Sequence, residues 1–279
     1  MKKQLSIISA AALLLAGCGS SASAAATASA SSASAASAAA AEDHLARIKE
    51  SGKLVIGMEG DWQPFTYHDD SDQLVGFDVD VAAGIASYLG VEPSYIEEKW
   101  SGLFTGLSSG VYDIVANGVD VTDERKQTYD FSDPYAYDHT VLVVRADNSD
   151  ITSFEDLKGK TTANSIGSTY MELGESYGAQ VSGVESLAEC MAMVTNGQVD
   201  ATINAETSVQ DYLKTTGDTS LKIVARSEDA TEYAIPLVKG DDNATLLAAI
   251  NEAIAHMRED GDLAKASETY FGADLTSAE

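Results

Sequence analysis

Basic side chains are scarce in this sequence of 279 residues. It has 17 Lys and Arg residues against 44 Asp and Glu residues, which gives a formal net charge of −27 at pH 7. Proteins that bind nucleic acid need a basic surface opposite the phosphates. The composition therefore argues strongly against nucleic acid as a partner. It says little about a small ligand, because a small ligand responds to local charge.

Cysteine and histidine are also scarce. The two cysteines are Cys18 and Cys190, and the four histidines lie at positions 44, 68, 139 and 256 without metal-ligand spacing. We therefore expect neither a metal site nor a cofactor. Cys190 falls in an apolar helical pattern, where a small buried side chain is expected. No intrachain disulfide is expected once Cys18 is modified as described below.

Beyond the N-terminus, no stretch is apolar for 18 residues, so no transmembrane helix is expected in the mature chain. The N-terminus itself has two lysines followed by an apolar run over residues 5–16, which is typical of a secretory signal. This run ends in Leu15-Ala16-Gly17-Cys18, which resembles a bacterial lipobox. We predict a signal peptide over residues 1–17, lipid attachment to Cys18, and an Ala/Ser-rich tether over residues 18–41.

The remaining 235 or so residues are enough for two lobes of ordinary size. Alternating strand and helix patterns over this region predict two open α/β units. Two runs, near residues 138–144 and 230–238, are the candidates for connections between the units. Helices are predicted at residues 45–51, 77–89, 100–110, 168–177, 186–196, 206–214, 246–257 and 263–270, and strands at 53–58, 93–98, 111–115, 141–144, 160–163, 179–183, 199–203, 221–224 and 233–238.

The stretch 116–125, with the sequence Ala-Asn-Gly-Val-Asp-Val-Thr-Asp-Glu-Arg, follows a short apolar run. Thr122 is a candidate N-cap, and two acidic residues then occupy the first helical turn, where carboxylates suit the helix dipole. Arg125 lies in the same turn, where the dipole disfavours a cation. A bidentate carboxylate partner would explain it; the alternative is a solvated arginine on a capped helix.

Several motifs together resemble the polar amino-acid substrate-binding proteins of ABC importers, over residues 45–275. The resemblance implies a type II periplasmic-binding-protein fold, with two α/β lobes, two hinge strands and the ligand in the cleft between the lobes. It implies a first lobe of residues 42–136 and 236–279, and a second lobe of residues 137–235. The motifs are Glu59-x-x-Trp62-x-Pro64-Phe65, Gly76-Phe77-Asp78, residues 117–125, residues 129–135, Ser153-x-x-Asp156-Leu157-x-Gly159-Lys160, Gly167-Ser168-Thr169 and Tyr270-Phe271-Gly272.

The family's other properties follow from the same resemblance. It implies a monomer that is secreted, tethered to the outer face of the membrane by lipid alone, and partnered with permease subunits. Closure of the lobes on a free amino acid would present a matched surface to the permease, and no catalysis is required.

The resemblance also assigns the parts of the ligand to residues. Arg125 would bind the α-carboxylate as a fork. Ser168 and Thr169, at a helix start, would contact the same carboxylate, although N-capping alone would also account for either residue. The loop residues Asn117 and Gly118 would complete this part of the site.

The ligand side chain is expected between the two tryptophans of the chain, Trp62 and Trp100, whose flat rings tolerate an apolar stem and a cation. Trp100 could instead be a core residue at a helix start. Glu59 falls where many family members place an acid near the side chain; the alternative is a carboxylate in a surface loop.

The ammonium group is where the sequence departs from the family. Ala205, between Asn204 and Glu206, replaces an aspartate that binds the ammonium in many members. A buried ammonium still requires an anion. The sequence therefore predicts that Asp120 takes this role, with Glu206 as a reserve. The alternative is that Asp120 pairs with Arg125.

Two questions stay open at this point. The ligand could be a polar amino acid, a cationic one, or cystine. The same fold resemblance also extends to cyclohexadienyl dehydratases, whose activity would require a general acid and a site for a diacid.

Overall fold

The computed structural model describes residues 43–277, so the predicted signal peptide, Cys18 and the tether lie outside the described residues. The helices of the described part are α1 (His44–Ser51), α2 (Phe77–Leu89), α3 (Trp100–Ser108), α4 (Thr169–Ser176), α5 (Leu187–Thr195), α6 (Glu206–Thr216), α7 (Ala244–Glu259) and α8 (Asp262–Phe271). Short 3-10 helices cover Arg125–Gln127, Phe154–Leu157 and Asp241–Asn243. No helix within this part is long and apolar enough to span a bilayer.

The strands, numbered in chain order, form five small sheets within the described part. They are β1 (Lys53–Met58), β2 (Asp61–Trp62), β3 (Thr66–His68), β4 (Leu74–Val75), β5 (Glu92–Glu97), β6 (Ile114–Val115), β7 (Tyr129–Phe131), β8 (Ala136–Asp138), β9 (Thr140–Arg145), β10 (Thr161–Ser165), β11 (Gln180–Val184), β12 (Ala201–Ala205), β13 (Leu221–Arg226), β14 (Thr231–Tyr233) and β15 (Pro236–Val238).

The first lobe is built on a parallel sheet with strand order β5-β1-β6. Helix α2 carries a buried face against it that includes Phe77, Val81 and Ile85, and the same helix packs on α7 and α8. Gly90, in the left-handed region at φ 75°, ends α2 at the predicted residue. The short meander β2-β3-β4 lies between β1 and α2 in the chain and supplies one wall of the cleft.

The second lobe is built on a five-stranded mixed sheet with order β11-β10-β12-β9-β13. The apolar run at residues 141–144, predicted to cross between the lobes, belongs to β9 instead and pairs with β12 and β13 on either side. That prediction is wrong. A β-branched run that is buried throughout is typical of a strand inside a sheet, because both of its faces are covered.

The two connections between the lobes are shorter than predicted. Strand β8 leads out of the first lobe, and β14 leads back; they pair antiparallel, with Thr231 opposite Asp138 and Tyr233 opposite Ala136. A second short pair, β7 with β15, lies next to them in the chain. The predicted architecture of two lobes and two hinge strands is therefore confirmed, although the first hinge strand begins before the predicted run.

The stretch 116–125 does not form the predicted helix. Its only helical part is the 3-10 turn that begins at Arg125, although the Thr122 hydroxyl does accept a hydrogen bond from the backbone N–H of Arg125 at 3.1 Å. Before the turn, the chain pairs with the hinge, because Asp120 forms a β-bridge with Tyr233. This pairing with a distant segment holds the stretch extended, and it ties a loop of the cleft to a hinge strand.

Candidate functional site

A cavity of about 450 Å³ lies in the cleft, with walls from both lobes. Eight of the predicted ligand-binding residues line it. The lining residues from the first lobe are Glu59, Asp61, Trp62, Trp100, Gly118 and Asp120, and those from the second are Ser165, Ser168, Thr169, Tyr170, Ser186, Leu187 and Asn204.

One end of the cavity is formed by Asp120, which is paired with Arg125. The Arg125 Nη1 atom donates to an Asp120 carboxylate oxygen and to the Asp120 carbonyl, and the two side chains are only 13% and 11% exposed. The guanidinium also lies against the rings of Trp100 and Phe104, at 5.3 and 4.9 Å from their centroids. The pairing left open by the sequence is therefore present in this structure. Arg125 itself does not line the cavity; it stands behind Asp120.

The opposite wall at this end is the start of helix α4. Ser168 is the N-cap, and its hydroxyl accepts from the backbone N–H of Met171 at 3.1 Å. The residue lines the cavity as well, so it both caps the helix and faces the cleft. Tyr170 follows, with its hydroxyl 3.2 Å from that of Tyr233 on the hinge strand β14. Burial raises the pKa of Tyr170, and the nearby charge of Asp120 raises it further.

Glu59 marks another part of the cavity wall. Asn117 Nδ2 donates to its carboxylate at 2.7 Å, while the Asn117 side-chain oxygen accepts from the backbone N–H of Glu59 at 2.8 Å. Asn117 is fully buried and also accepts from Thr66, so its side chain is used within the first lobe and does not line the cavity. Burial raises the pKa of Glu59 to about 7, although the Asn117 hydrogen bond opposes this.

The raised pKa of Glu59 predicts how stability depends on pH. The folded state holds this proton up to about pH 7, whereas the unfolded chain releases it near pH 4.5, so stability falls as the pH rises through that window. Between pH 5.5 and 8 this one group should cost about 2 kcal/mol of unfolding free energy. Glu59→Gln keeps an acceptor for Asn117, so its stability relative to the native protein should be about 2 kcal/mol more favourable at pH 8 than at pH 5.5. Urea unfolding of the ligand-free native protein and of Glu59→Gln at both pH values tests this. An equal change in the free energy of unfolding between the two pH values in both proteins would contradict it.

Trp62 forms a flat side of the cavity. Its ring stacks on Phe65 at a centroid distance of 4.2 Å and an interplanar angle of 10°. Gly118 lies under the ring with φ +50°, and a Cβ atom there would be 2.5 Å from the indole. Only glycine meets both conditions, because other residues disfavour positive φ and would displace Trp62. Trp100 lines the cavity too, and it also packs edge-on against Phe104, so its position is compatible with either of the two roles considered for it.

Asp78, the last residue of the Gly76-Phe77-Asp78 motif, supports the site from behind although its motif predicts no role for it. It is fully buried near the start of α2, and it accepts from the Gly118 backbone N–H at 2.5 Å and from the Tyr135 hydroxyl at 2.8 Å. Burial raises its pKa to about 7 against these two hydrogen bonds. Asp78 thus positions the Gly118 loop from behind. The signal for it was an acidic residue within an otherwise apolar helix face.

Glu206, the predicted reserve acid, is not brought to the cavity. Its carboxylate pairs with Arg226, at 2.6 Å from Nε, and accepts from the Gln210 side chain at 2.9 Å. Asp61, Ser165, Tyr170, Ser186 and Leu187 line the cavity but were not predicted. Among residues 43–277, no group of histidine, cysteine or acidic side chains is placed to hold a metal ion.

Comparison with known proteins connects this site to one family. The sequence model of the bacterial extracellular solute-binding proteins, family 3, matches residues 54–273. The L-cystine-binding protein TcyA of Bacillus subtilis is 41% identical over 235 residues, which cover 84% of this chain and 87% of that protein.

Two solved structures of related proteins differ in how closely their shape matches that of this chain. An ancestral arginine-binding protein bound to arginine gives a TM-score of 0.74 at 35% identity, covering 79% of this chain and 99% of the other. The L-cystine solute receptor of Neisseria gonorrhoeae, in its unliganded open conformation, gives 0.56 at 38% identity, covering 84% and 98%. The open structure is the more similar in sequence and the less similar in shape.

Proposed function

The chain belongs to the bacterial extracellular solute-binding proteins, family 3, and from this we propose that it captures a free amino acid for an ABC importer. The observation that carries the proposal is the cavity between the lobes, which has Asp120 at one end, Arg125 paired with it from behind, and flat aromatic walls beside it. A free amino acid carries both charges on its head group. An acid in the cavity wall with an arginine directly behind it is matched to such a zwitterion, because both charges lie at the same end of the site.

We propose that the α-carboxylate binds between the start of α4 and Arg125. Ser168 and Thr169 line the cavity at that helix start, where backbone N–H groups favour an anion. Arg125 uses Nη1 for Asp120, and its Nε and Nη2 atoms have no hydrogen-bond partner within residues 43–277. Its charge also acts on Glu172 and Tyr170 of α4, so the guanidinium lies near the helix that would hold the carboxylate.

We propose that Asp120 binds the ammonium group. It lines the cavity, whereas Glu206 is committed to Arg226. Asn204, at the end of β12, lies across the same cavity. The side chain of the ligand would then extend between Trp62 and Trp100 towards Glu59, and a polar or cationic side chain, or that of cystine, suits these walls.

Capture follows from contacts made by both lobes. We propose lobes of residues 42–136 with 236–279 and of residues 137–235. A ligand held by Asp120 and Trp62 from one lobe and by Ser168 from the other favours the closed state, so binding shifts the hinge equilibrium. The better match to an arginine-bound structure than to an open one supports a closed arrangement here. So does a 3.0 Å hydrogen bond across the cleft from Ser101 to Glu185.

We propose further that the protein works as a monomer, delivers its ligand to permease subunits and is held at the outer face of the membrane by lipid on Cys18, with residues 1–17 removed. A Cys18→Ala variant should then appear in the culture medium rather than in the membrane fraction of the producing cell. Retention of this variant in the membrane fraction would rule out the anchor.

The function is tested by a thermal-shift panel on the chain from residue 42. The panel contains the twenty amino acids, cystine and ornithine, with prephenate and arogenate for the dehydratase alternative. A ligand at a hundred times its dissociation constant adds about 2.7 kcal/mol, hence a shift of roughly 5–10 °C. A shift with one or a few amino acids supports the proposal. No shift with any amino acid, together with turnover of prephenate or arogenate, would replace it with the enzyme.

A further inference from the structure

Two tyrosine hydroxyls meet where the cavity adjoins the hinge. Tyr170 is the second residue of α4 in the second lobe, and it lines the cavity directly after Ser168 and Thr169. Its hydroxyl lies 3.2 Å from that of Tyr233, the last residue of the hinge strand β14. We call these two side chains the tyrosine pair. The pair joins a wall of the cavity to one of the connections between the lobes.

Tyr233 is fixed to the first lobe. Its backbone forms the β-bridge with Asp120, and its carbonyl accepts a hydrogen bond from the backbone N–H of Tyr135 at 2.9 Å. Its ring is buried and packs edge-on against Phe65, the residue that stacks on Trp62 in the cavity wall. Tyr233 should therefore move with the first lobe when the cleft opens, although it belongs to a hinge strand.

Tyr170 is fixed to the second lobe. Helix α4 packs on strands β10, β11 and β12 of the second-lobe sheet. The Tyr170 ring packs against the buried cluster of that sheet, which includes Leu142 and Ile203, and also against the cluster that contains Tyr233. The hydrogen bond of the tyrosine pair is thus a contact between the lobes, so opening of the cleft, which separates the two walls, should break it.

The tyrosine pair lies beside Asp120, the acid proposed to bind the ligand ammonium. Burial raises the pKa of both tyrosines, and the charges of Asp120 and Asp138 raise it further, so both hydroxyls stay protonated close to these carboxylates. On α4, Ser168 and Thr169 precede Tyr170 and form the proposed carboxylate end of the site. One hydrogen bond therefore connects the two walls that would hold the two charges of an amino acid.

We propose that Tyr170 is a positioning residue, which fixes the distance between the carboxylate and ammonium sites of the closed cleft through its hydroxyl contact with Tyr233. This rests on the proposed function. Once the walls separate, the hydroxyls can bond to water instead, so the contact stabilises the closed, ligand-bound state over the open one. The tyrosine pair acts on the head-group end of the site, so its contribution should be the same for every amino acid that binds.

The test removes the two hydroxyls one at a time and together. Tyr170→Phe and Tyr233→Phe keep the rings, and each should raise the dissociation constant about three- to tenfold, the effect of one hydrogen bond. The double variant should bind no more weakly than the weaker single variant, because each substitution already breaks the same contact. Calorimetric titration at pH 7.5 uses L-cystine and L-arginine, together with any other amino acid that stabilises the protein in the thermal-shift panel.

Two further measurements distinguish positioning from packing. The dissociation rate constant should rise by the same factor while the association rate constant is unchanged, and tryptophan fluorescence follows both because the two tryptophans line the cavity. Urea unfolding of the ligand-free variants should give the same free energy as for the native protein. Tyr177→Phe is the matched control: its ring, at the end of α4, stacks on Phe154 within the second lobe, and the substitution should change the dissociation constant by less than about twofold.

The outcomes separate this proposal from the proposed function. If an amino acid binds the native protein and Tyr170→Phe binds it with a dissociation constant within about twofold, the positioning role is overturned and the proposed function stands. Losses in the single variants that multiply in the double variant also overturn it, because the two hydroxyls would then act separately. If no amino acid binds the native protein, both proposals fall.

Discussion

Asp120→Asn is expected to raise the dissociation constant for the cognate amino acid well over tenfold. Asp120 is 13% exposed and faces the cavity, so a ligand ammonium placed there would be largely removed from water. Loss of one partner from a buried charge pair costs about 3–5 kcal/mol. We expect a smaller loss in binding, because Arg125, released from Asp120, can strengthen its contact with the ligand carboxylate. Calorimetric titration with the amino acid found in the thermal-shift panel measures the change.

The same variant distinguishes the two roles of Asp120. If this carboxylate only neutralises Arg125, its removal should leave the affinity unchanged or improve it, because a free guanidinium then meets the ligand carboxylate. Either result would contradict binding of the ammonium by Asp120. Asp123→Asn serves as the matched control: it removes an exposed carboxylate three residues further along the same loop and should change the affinity by less than twofold.

Much of the fold could be predicted because its helices and longer strands repeat an apolar pattern over several turns or residues. Helix α2 and strand β1 have their predicted bounds for this reason. The hinge strands β8 and β14 are three residues each, too short for any pattern, and the longer apolar run of β9 was predicted to cross in their place. The helix predicted near Arg125 is absent for a different reason. Its local capping signal was correct, but a β-bridge from Asp120 to Tyr233 holds the stretch extended, and this bridge joins residues more than a hundred positions apart.

The sequence could predict which residues line the cavity where the side chain faces the cleft. It could not do so where a hydrogen bond or ion pair with another element holds the side chain elsewhere. Trp62, Asp120 and Ser168, which the sequence predicts to bind the ligand, all line the cavity. Asn117 and Glu206 do not line it. Asn117 is hydrogen-bonded to Glu59 and Glu206 forms an ion pair with Arg226, and each of these contacts joins separate elements. Their roles in binding were carried over from a motif, and a motif records residue types rather than hydrogen-bond partners.

Asp78→Ala is expected to lower the free energy of unfolding by about 2–4 kcal/mol and to weaken binding as well. The side chain is fully buried, and its loss would leave the Gly118 N–H and the Tyr135 hydroxyl without their acceptor. Each buried donor left unpaired costs about 1–3 kcal/mol. The effect should be largest near pH 5.5, where the raised pKa of Asp78 leaves the native carboxyl mostly neutral, so that its removal relieves little buried charge.

Asp80→Ala is the matched control for that variant. Asp80 lies in the same first turn of α2 but is exposed, so both substitutions remove one carboxylate from the same helix terminus. We expect less than about 1 kcal/mol from Asp80→Ala, as is usual at an exposed position. Urea unfolding at pH 5.5 and titration with the cognate amino acid measure both effects. Equal destabilisation by the two variants would mean that the helix dipole, and not the Gly118 and Tyr135 contacts, accounts for the contribution of Asp78. A loss of stability with unchanged affinity would show that the Gly118 loop keeps its position without Asp78.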